Sequence, residues 1–361
     1  MRVALVAAPL MARSGVHRSA HDLVAAARAR GLPWTALLGM RPDAAGAPID
    51  APGVTETMLV RHGVDVLREV HRAVHADPDV RRADVVVSLV PQSDMVVAAS
   101  RALRHAPRVA WVRGLPWPAA GEQRGLRRRL LTALESRALR TLDDVWATSP
   151  LLAGQVSRAR VPAIVPAGVP GLPRTSHGDQ EGPLVWAGRL SVEKGPGEYL
   201  DLVRRVGGPA RLHGSGPLED GLRRRRIPGL DWVGWLPAER LWRDAGIAVT
   251  TSYRDAFGRS PVEAASAGVP VLLSDGTGAA PALYVDPELR RRFVLPLGDH
   301  DAWDSAVRDL RGDADLRRRV SDHVHANASE LTIERSLDHA LQRLRALAPH
   351  LHPTTERTTG S

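Results

Sequence analysis

Residues 247–278, IAVTTSYRDAFGRSPVEAASAGVPVLLSDGTG, leave few options other than strand, loop, helix and strand in succession. The run 247–252 is short, apolar and rich in β-branched residues, as in a strand buried in a parallel sheet. A polar loop follows and carries Asp255, Phe257 and Gly258. Pro261 then opens a helix of small residues, where its missing N–H costs nothing because first-turn N–H groups have no partner within a helix. Gly268 closes that helix, and 269–274 is the next strand. Asp255 and Glu263 have seven residues between them. One stands just past a strand's carboxyl end and the other on the first turns of the helix. Both therefore face the crevice where open α/β sheets bind anions and polyols.

Ser252, Asp255, Phe257, Gly258, Glu263, Ala264, Gly268, Pro270 and Val271 also stand in a recognisable register. It resembles the donor-sugar signature of the family 4 glycosyltransferases, in which a serine precedes an acid, Phe-Gly, a second acid, Ala, a Gly and Pro-Val. The first acid is Asp255 where the family has glutamate, so the carboxylate is kept on a side chain one methylene shorter. The resemblance implies a retaining enzyme of the GT-B fold: α/β, with two Rossmann-like domains facing a central cleft.

A length of 361 residues suits two domains of ordinary size. A composition 43% hydrophobic and 25% charged is that of a soluble globular protein. No apolar run reaches the roughly 18 residues of a membrane span. The N-terminus, MRVALVAAPL, enters a strand-like run directly and does not read as a signal peptide. The chain has no cysteine, which removes disulfides and thiol chemistry and fits a cytoplasmic enzyme. The net charge is +9, and of the 49 basic residues only Lys194 is a lysine. The arginine clusters at 127–129, 223–226 and 290–292 lack interleaved aromatics or a reading motif, so nucleic acid is not an expected partner. Solvated helix faces account for them, with weak attraction to acidic membrane surfaces or phosphorylated substrates as the alternative.

In chain order, 2–8 reads as a strand, a loop holds Ser14 and Gly15, and a helix runs from 16 to 30. A further helix over 63–75 leads to a strand over 84–90, and 108–113 is another strand, ending before Gly114-Leu115-Pro116-Trp117. Residues 124–142 place leucines at 126, 130, 131, 134 and 139, a helical stripe with a basic opposite face. Core packing is the expected fate of that stripe, and lipid contact the alternative. A strand over 144–149 and a strand and turn over 161–169 close the first half. Residues 170–182, rich in proline, glycine and small polar residues, read as a linker. The expected division is therefore an N-terminal domain over 1–172, a linker over 173–182, and a C-terminal donor domain over 183–331. A helix over 332–348 is expected to pack back on the first domain, before a frayed tail over 349–361.

The second half opens with a strand over 183–187 and then Gly188-Arg189-Leu190-Ser191-Val192-Glu193-Lys194-Gly195, which matches the family's Gly-Arg-Leu … Lys-Gly motif. A departing nucleoside diphosphate develops negative charge, which two fixed cations in a dry site stabilise. The lone lysine of an arginine-rich chain falls inside this motif. A compact ammonium suits a tight phosphate contact, and a planar guanidinium is not its equivalent. Gly214-x-Gly216 is not a dinucleotide fingerprint, because Glu219 stands where the third glycine belongs. The resemblance places that turn at the nucleotide and the Gly234-Trp235-Leu236 turn at the base. The family's glutamate after Gly278 is replaced by Ala279-Ala280-Pro281.

Three other signals carry little. Asp313-Ala314-Asp315 reads as a helix cap and not a metal ligand pair. His323 and His325, two apart, point to different helix faces. No G-x-S-x-G elbow supports a hydrolase.

What the resemblance implies is sugar transfer from a nucleoside-diphosphate donor without a metal or other cofactor. The implied donor contacts are Gly15, Gly188, Arg189, Lys194, Gly214, Gly216, Leu236, Asp255, Ala256, Phe257, Gly258 and Glu263. Arg189 and Lys194 hold the diphosphate, Glu263 meets the ribose, and Asp255 with the N–H groups of 256–258 orients the sugar. Arg189, Lys194 and Asp255 are the catalytic candidates. On the acceptor side stand His17 and Arg113; the latter takes the strand-end position of a family histidine and is read equally as a structural ion pair. The expected donor nucleotide is UDP, on general frequency alone, and the expected acceptor a small molecule, as in natural-product biosynthesis. The alternatives are transfer to a lipid or cell-envelope glycan at a membrane surface, and binding of a nucleotide sugar without transfer.

Overall fold

In the computed structural model, which describes residues 1–13, 15–63, 65–114, 125–178 and 181–347, β1 (Val3–Ala12) is buried on both faces from Val3 to Ala8. That double burial is what a continuous apolar run demands of a parallel sheet. The chain divides into two units, Met1–Ala167 with Ile333–Ser361, and Gly168–Thr332.

In the first unit β1 is followed by α1 (Val16–Ala29), β2 (Trp34–Ala45), β3 (Val54–Met58), α2 (Asp65–Ala76), α3 (Pro78–Arg82) and β4 (Val85–Ser88). Then come α4 (Pro91–Ala99), β5 (Arg108–Val112), α5 (Gly125–Thr141), β6 (Asp144–Ala147), α6 (Pro150–Val156) and β7 (Ala163–Ile164). The seven strands form one sheet in the order β3-β2-β1-β4-β5-β6-β7, and every ladder is parallel. The order reverses beside β1, so the loop into α1 lies at the switch point where such sheets bind ligands.

The second unit begins with β8 (Leu184–Ala187), α7 (Pro196–Val206), β9 (Ala210–His213), α8 (Glu219–Arg223), β10 (Leu230–Trp232) and α9 (Ala238–Leu241). It continues with β11 (Ile247–Thr250), α10 (Arg259–Ser266), β12 (Val271–Ser274), α11 (Ala280–Leu283), α12 (Pro287–Phe293) and β13 (Val294–Leu295). It ends with α13 (His300–Gly312) and α14 (Ala314–Ala328), after which α15 (Ile333–Leu347) joins the first unit. Its six strands are also all parallel, in the order β10-β9-β8-β11-β12-β13. Here the reversal falls between β8 and β11, so the loops after those two strands converge.

Two sequence expectations change, and two strands are added to them. Residues 168–182 belong to the second unit and are not a bare linker over 173–182. The Leu172 N–H donates to Ser266 Oγ at 2.9 Å, and the Thr175 and Ser176 N–H groups donate to the Ala267 carbonyl. Arg174 pairs with Asp322, and Arg317 Nε donates to the Gly178 carbonyl at 2.7 Å. Most of the leucine stripe of α5 is not core, and of its five leucines only Leu139 is buried. Leu126, Leu130 and Leu134 are 83%, 59% and 42% exposed, while Glu135, Ala138 and Leu139 are buried. Finally, β2 and β3 were not foreseen: Gly39, Arg41, Pro42 and Asp43 interrupt the apolar pattern of β2, which parallel pairing to β1 overrides.

Candidate functional site

Two glycine turns set the floor of the second switch point. The Gly188 N–H donates to the His213 carbonyl at 3.0 Å, and the Leu190 N–H to that of Ser215 at 2.9 Å. A Cβ on Gly214 would lie 1.9 Å from the Gly188 carbonyl oxygen, and one on Gly216 would lie 2.6 Å from that of Leu190. These glycines are required because the loops after β8 and β9 touch through their backbones. The Gly214 N–H in turn donates to the Gly234 carbonyl at 3.0 Å, tying in the turn that carries Trp235 and half-buried Leu236. Arg189, on the first of these loops, is exposed.

Lys194 ends a single 3-10 turn, Val192–Lys194, and is followed by Gly195 at φ 61°. A Cβ there would lie 2.0 Å from the Thr251 carbonyl oxygen, so the turn packs directly on the carboxyl end of β11. Thr251 Oγ1 donates to the Gly195 carbonyl at 2.8 Å and accepts from Trp186 Nε1 at 3.1 Å. The ammonium of Lys194 is thereby aimed across the switch point, where its Nζ donates to Asp255 Oδ2 at 2.5 Å. Both side chains are largely shielded, at 28% and 14% exposure, so the pair is stronger than a solvated one. An ammonium has three N–H donors, and a carboxylate oxygen accepting one leaves two for a ligand.

The Asp255 loop is itself clamped. The Asp255 N–H donates to the Gly276 carbonyl, and the Gly278 N–H to the Asp255 carbonyl, each at 2.9 Å. Phe257 is buried, and its carbonyl accepts from the Ala279 N–H at 2.7 Å. Ala256 is also buried. Gly258, at φ 92°, caps α10, which carries Glu263 on its second turn with Arg259 Nε 3.6 Å from its carboxylate. Thus Lys194 and Asp255 are in contact, and Gly258 and Glu263 follow on the same strand–loop–helix unit.

The candidates of the first unit sit differently. Gly15 has φ 48° at the start of α1, with open space where a Cβ would be; Ser14 before it lies outside the described residues. His17 is fully buried, with Nε2 2.7 Å from Glu56 Oε1. Arg113 is also buried, its guanidinium 4.3 Å from the centre of the Trp111 ring. The segment 115–117 lies outside the described residues, as do the Arg127 and Arg128 side chains and the tail over 349–361.

Sequence reading missed two polar groupings of this unit. His21 and Arg13 join His17 at Glu56, and the His17-x3-His21 spacing was the signal available for the histidines. Asp94 and Glu135 are buried where α4 packs on α5. Burial pushes Asp94 up to about 7, although it accepts a 2.5 Å hydrogen bond from Ser88 Oγ. Burial, and then the charge of Asp94, pushes Glu135 up to about 10. Elsewhere, Asp313 caps α14 by accepting from the Leu316 N–H at 2.9 Å. His325 Nδ1 meets the Ser266 carbonyl at 2.9 Å, and His323 meets Asn327. Among the described residues no helix is long and apolar enough to cross a membrane.

Residues 238–344 match the family model described as Family 4 Glycosyltransferase in conflict systems. That span contains Asp255, Gly258 and Glu263 but not Arg189 or Lys194. No curated protein matches the chain. Among solved structures, sucrose-phosphate synthase from Thermosynechococcus elongatus is similar with a TM-score of 0.74 at 19% identity, covering 97% of this chain and 100% of that one. Alr3699/HepE from Anabaena, solved in complex with UDP and glucose, has a TM-score of 0.72 at 16% identity, covering 96% and 100%. The lipopolysaccharide outer core galactosyltransferase WaaB has a TM-score of 0.65 at 14% identity, covering 96% and 99%. Two doubly wound parallel units and these structural matches give the chain the GT-B fold, and within it residues 238–344 are similar to the family 4 glycosyltransferases.

Proposed function

We propose that the chain transfers a sugar from a UDP-sugar to a small-molecule acceptor, with retention at the anomeric carbon and without a metal in the transfer step. The observation that carries this reading is the Lys194–Asp255 contact at the switch point of the second sheet. An ammonium suited to a diphosphate stands beside a carboxylate suited to sugar hydroxyls, which supports the reading. Lys194 and the exposed Arg189 neutralise the diphosphate as its bond to the sugar breaks, when its negative charge is greatest. Their charge does the work that a divalent ion does in other phosphate sites. Asp255 and the N–H groups of 256–258 orient the sugar, and Glu263 accepts from the ribose hydroxyls. UDP is favoured because the similar HepE structure holds it. Retention follows if the leaving phosphate oxygen takes the acceptor's proton on the same face.

A second reading, transfer to a lipid-linked or cell-envelope acceptor at a membrane surface, is favoured by the exposed Leu126, Leu130 and Leu134 of α5. Thermal-shift measurements with UDP, GDP and TDP test the donor. UDP at about 100 times its Kd stabilises the chain by about 2.7 kcal/mol, and Lys194→Ala abolishes the shift. No shift with any diphosphate, or an equal shift in the variant, overturns the reading. UDP-sugars incubated with liposomes and with soluble acceptors separate the two acceptor classes.

A further inference from the structure

The four-residue spacing of His17 and His21 puts both rings on one face of α1, with ring centroids 4.5 Å apart. β3 is the edge strand of the first sheet, and it delivers Glu56 to the same point. One ligand-capable atom of each of the three residues lies within 4.8 Å of the other two. The histidines are 0% and 6% exposed. Nδ1 of His17 and both ring nitrogens of His21 are buried without a hydrogen-bond partner. An unmet buried donor or acceptor costs about 1–3 kcal/mol, so the cluster is unfinished as a hydrogen-bonded network.

Its chemistry is that of a metal ligand set. Both ring nitrogens of buried His21 lack a partner, and an imidazole nitrogen is a ready ligand for a metal ion. Glu56 brings a carboxylate that both Arg13 and His17 contact. Arg13 grips one side of that carboxylate, donating to Oε2 from Nε at 3.2 Å and from Nη2 at 3.0 Å. Oε1, which Arg13 Nε reaches at 3.4 Å, faces the histidine side, 2.7 Å from His17 Nε2. A ligand carboxylate held by an outer donor is the usual arrangement around a bound ion.

We propose that His17, His21 and Glu56 bind one divalent transition-metal ion of the zinc type. Two imidazoles with one carboxylate suit zinc and its neighbours, whereas magnesium and calcium take oxygen ligands. Bonds of about 2.0 Å in a tetrahedron put ligand atoms about 3.3 Å apart, so His17 and Glu56 need to part by only a fraction of an ångström. The ion would fasten α1 to the edge strand, joining residues 39 positions apart in sequence. This site is built from residues of the first unit alone and does not depend on the reading of the donor site in the second.

The test strips the full-length chain with a chelator and titrates it with zinc, magnesium and cobalt(II). Zinc is expected to bind one per chain and raise Tm, and magnesium to do neither. Cobalt(II) is expected to give the intense visible bands of a four- or five-coordinate site. Loss of an outer partner costs metal sites about 10–100-fold in affinity, so loss of a ligand in His21→Gln or Glu56→Gln is expected to cost at least about 100-fold. Lys194→Ala is expected to bind zinc unchanged. No stoichiometric zinc uptake, a cobalt spectrum like that of the aqueous ion, or variants that bind like the parent would each overturn the proposal. The wild-type cobalt spectrum decides the matter even where a variant fails to fold.

Discussion

At the residue scale, the Lys194–Asp255 pair gives the proposed donor site a division of labour that substitutions can separate. Lys194→Ala removes the cation that meets the diphosphate. We expect kcat/KM to fall at least about 100-fold, the usual cost of one donor to developing charge, together with loss of UDP binding. Asp255→Asn removes the carboxylate that now holds the ammonium at 2.5 Å. Lys194 is then released to the nucleotide, so UDP is expected to bind as tightly as to the parent or tighter while sugar transfer collapses. Isothermal titration with UDP alongside transfer assays checks the split; parallel losses of both in Asp255→Asn would mean that the acid only props up the loop. A different pair governs pH dependence. Asp94 and Glu135 are raised from 3.8 to about 7 and from 4.5 to about 10. Between the unfolded and folded values the native state holds more protons, so stability falls as pH rises through that window, and none of the effect remains below about pH 4. Urea midpoints are expected to decline from pH 5 to pH 9 in the parent and to be much flatter in Glu135→Gln.

At the element scale, the loops of the second unit are legible in the sequence because backbone contact dictates their glycines. Gly195, Gly214 and Gly216 each stand where a Cβ would meet a carbonyl oxygen at 2.0, 1.9 and 2.6 Å. The same contact makes Gly195→Ala a severe change. It forces a left-handed residue to carry a side chain and pushes the Lys194 turn off β11, so we expect a loss of at least about 2 kcal/mol in stability. Chemical denaturation would measure it, and a loss below half that size would show that the turn can yield. The first unit is less legible for an equally physical reason. β2 is held by pairing with β1, and its Gly39, Arg41 and Pro42 carry no strand signal of their own. Without β2 there is no β3 in view, and without β3 nothing brings Glu56 to His17. The α5 stripe misled in the opposite direction: its spacing is helical, but of its leucines only Leu139 lies on the buried face, beside Glu135 and Ala138.

At the scale of the whole molecule, both units wind the same way, yet the chain does not treat them as two consecutive beads. After the second unit it returns, and α15 lays Leu337, Ala340 and Leu344 into the core built by β1 and α1. Arg30 meets Asp338 at 2.5 Å and Arg343 meets Asp144 at 2.7 Å at the edges of this packing. Burying Ile333, Leu337 and Leu344 contributes about 1.5–3 kcal/mol each, a sum comparable to the whole stability of an ordinary domain. A chain ending at Thr332 therefore uncovers the core of the first unit while leaving Lys194, Asp255 and Glu263 in place. We expect its calorimetric trace to lose or sharply lower one transition, and UDP still to raise the Tm of the other. An unchanged trace would mean that α15 is dispensable for the first core. Loss of the UDP response with the second transition intact would mean that the nucleotide site draws on the first unit as well.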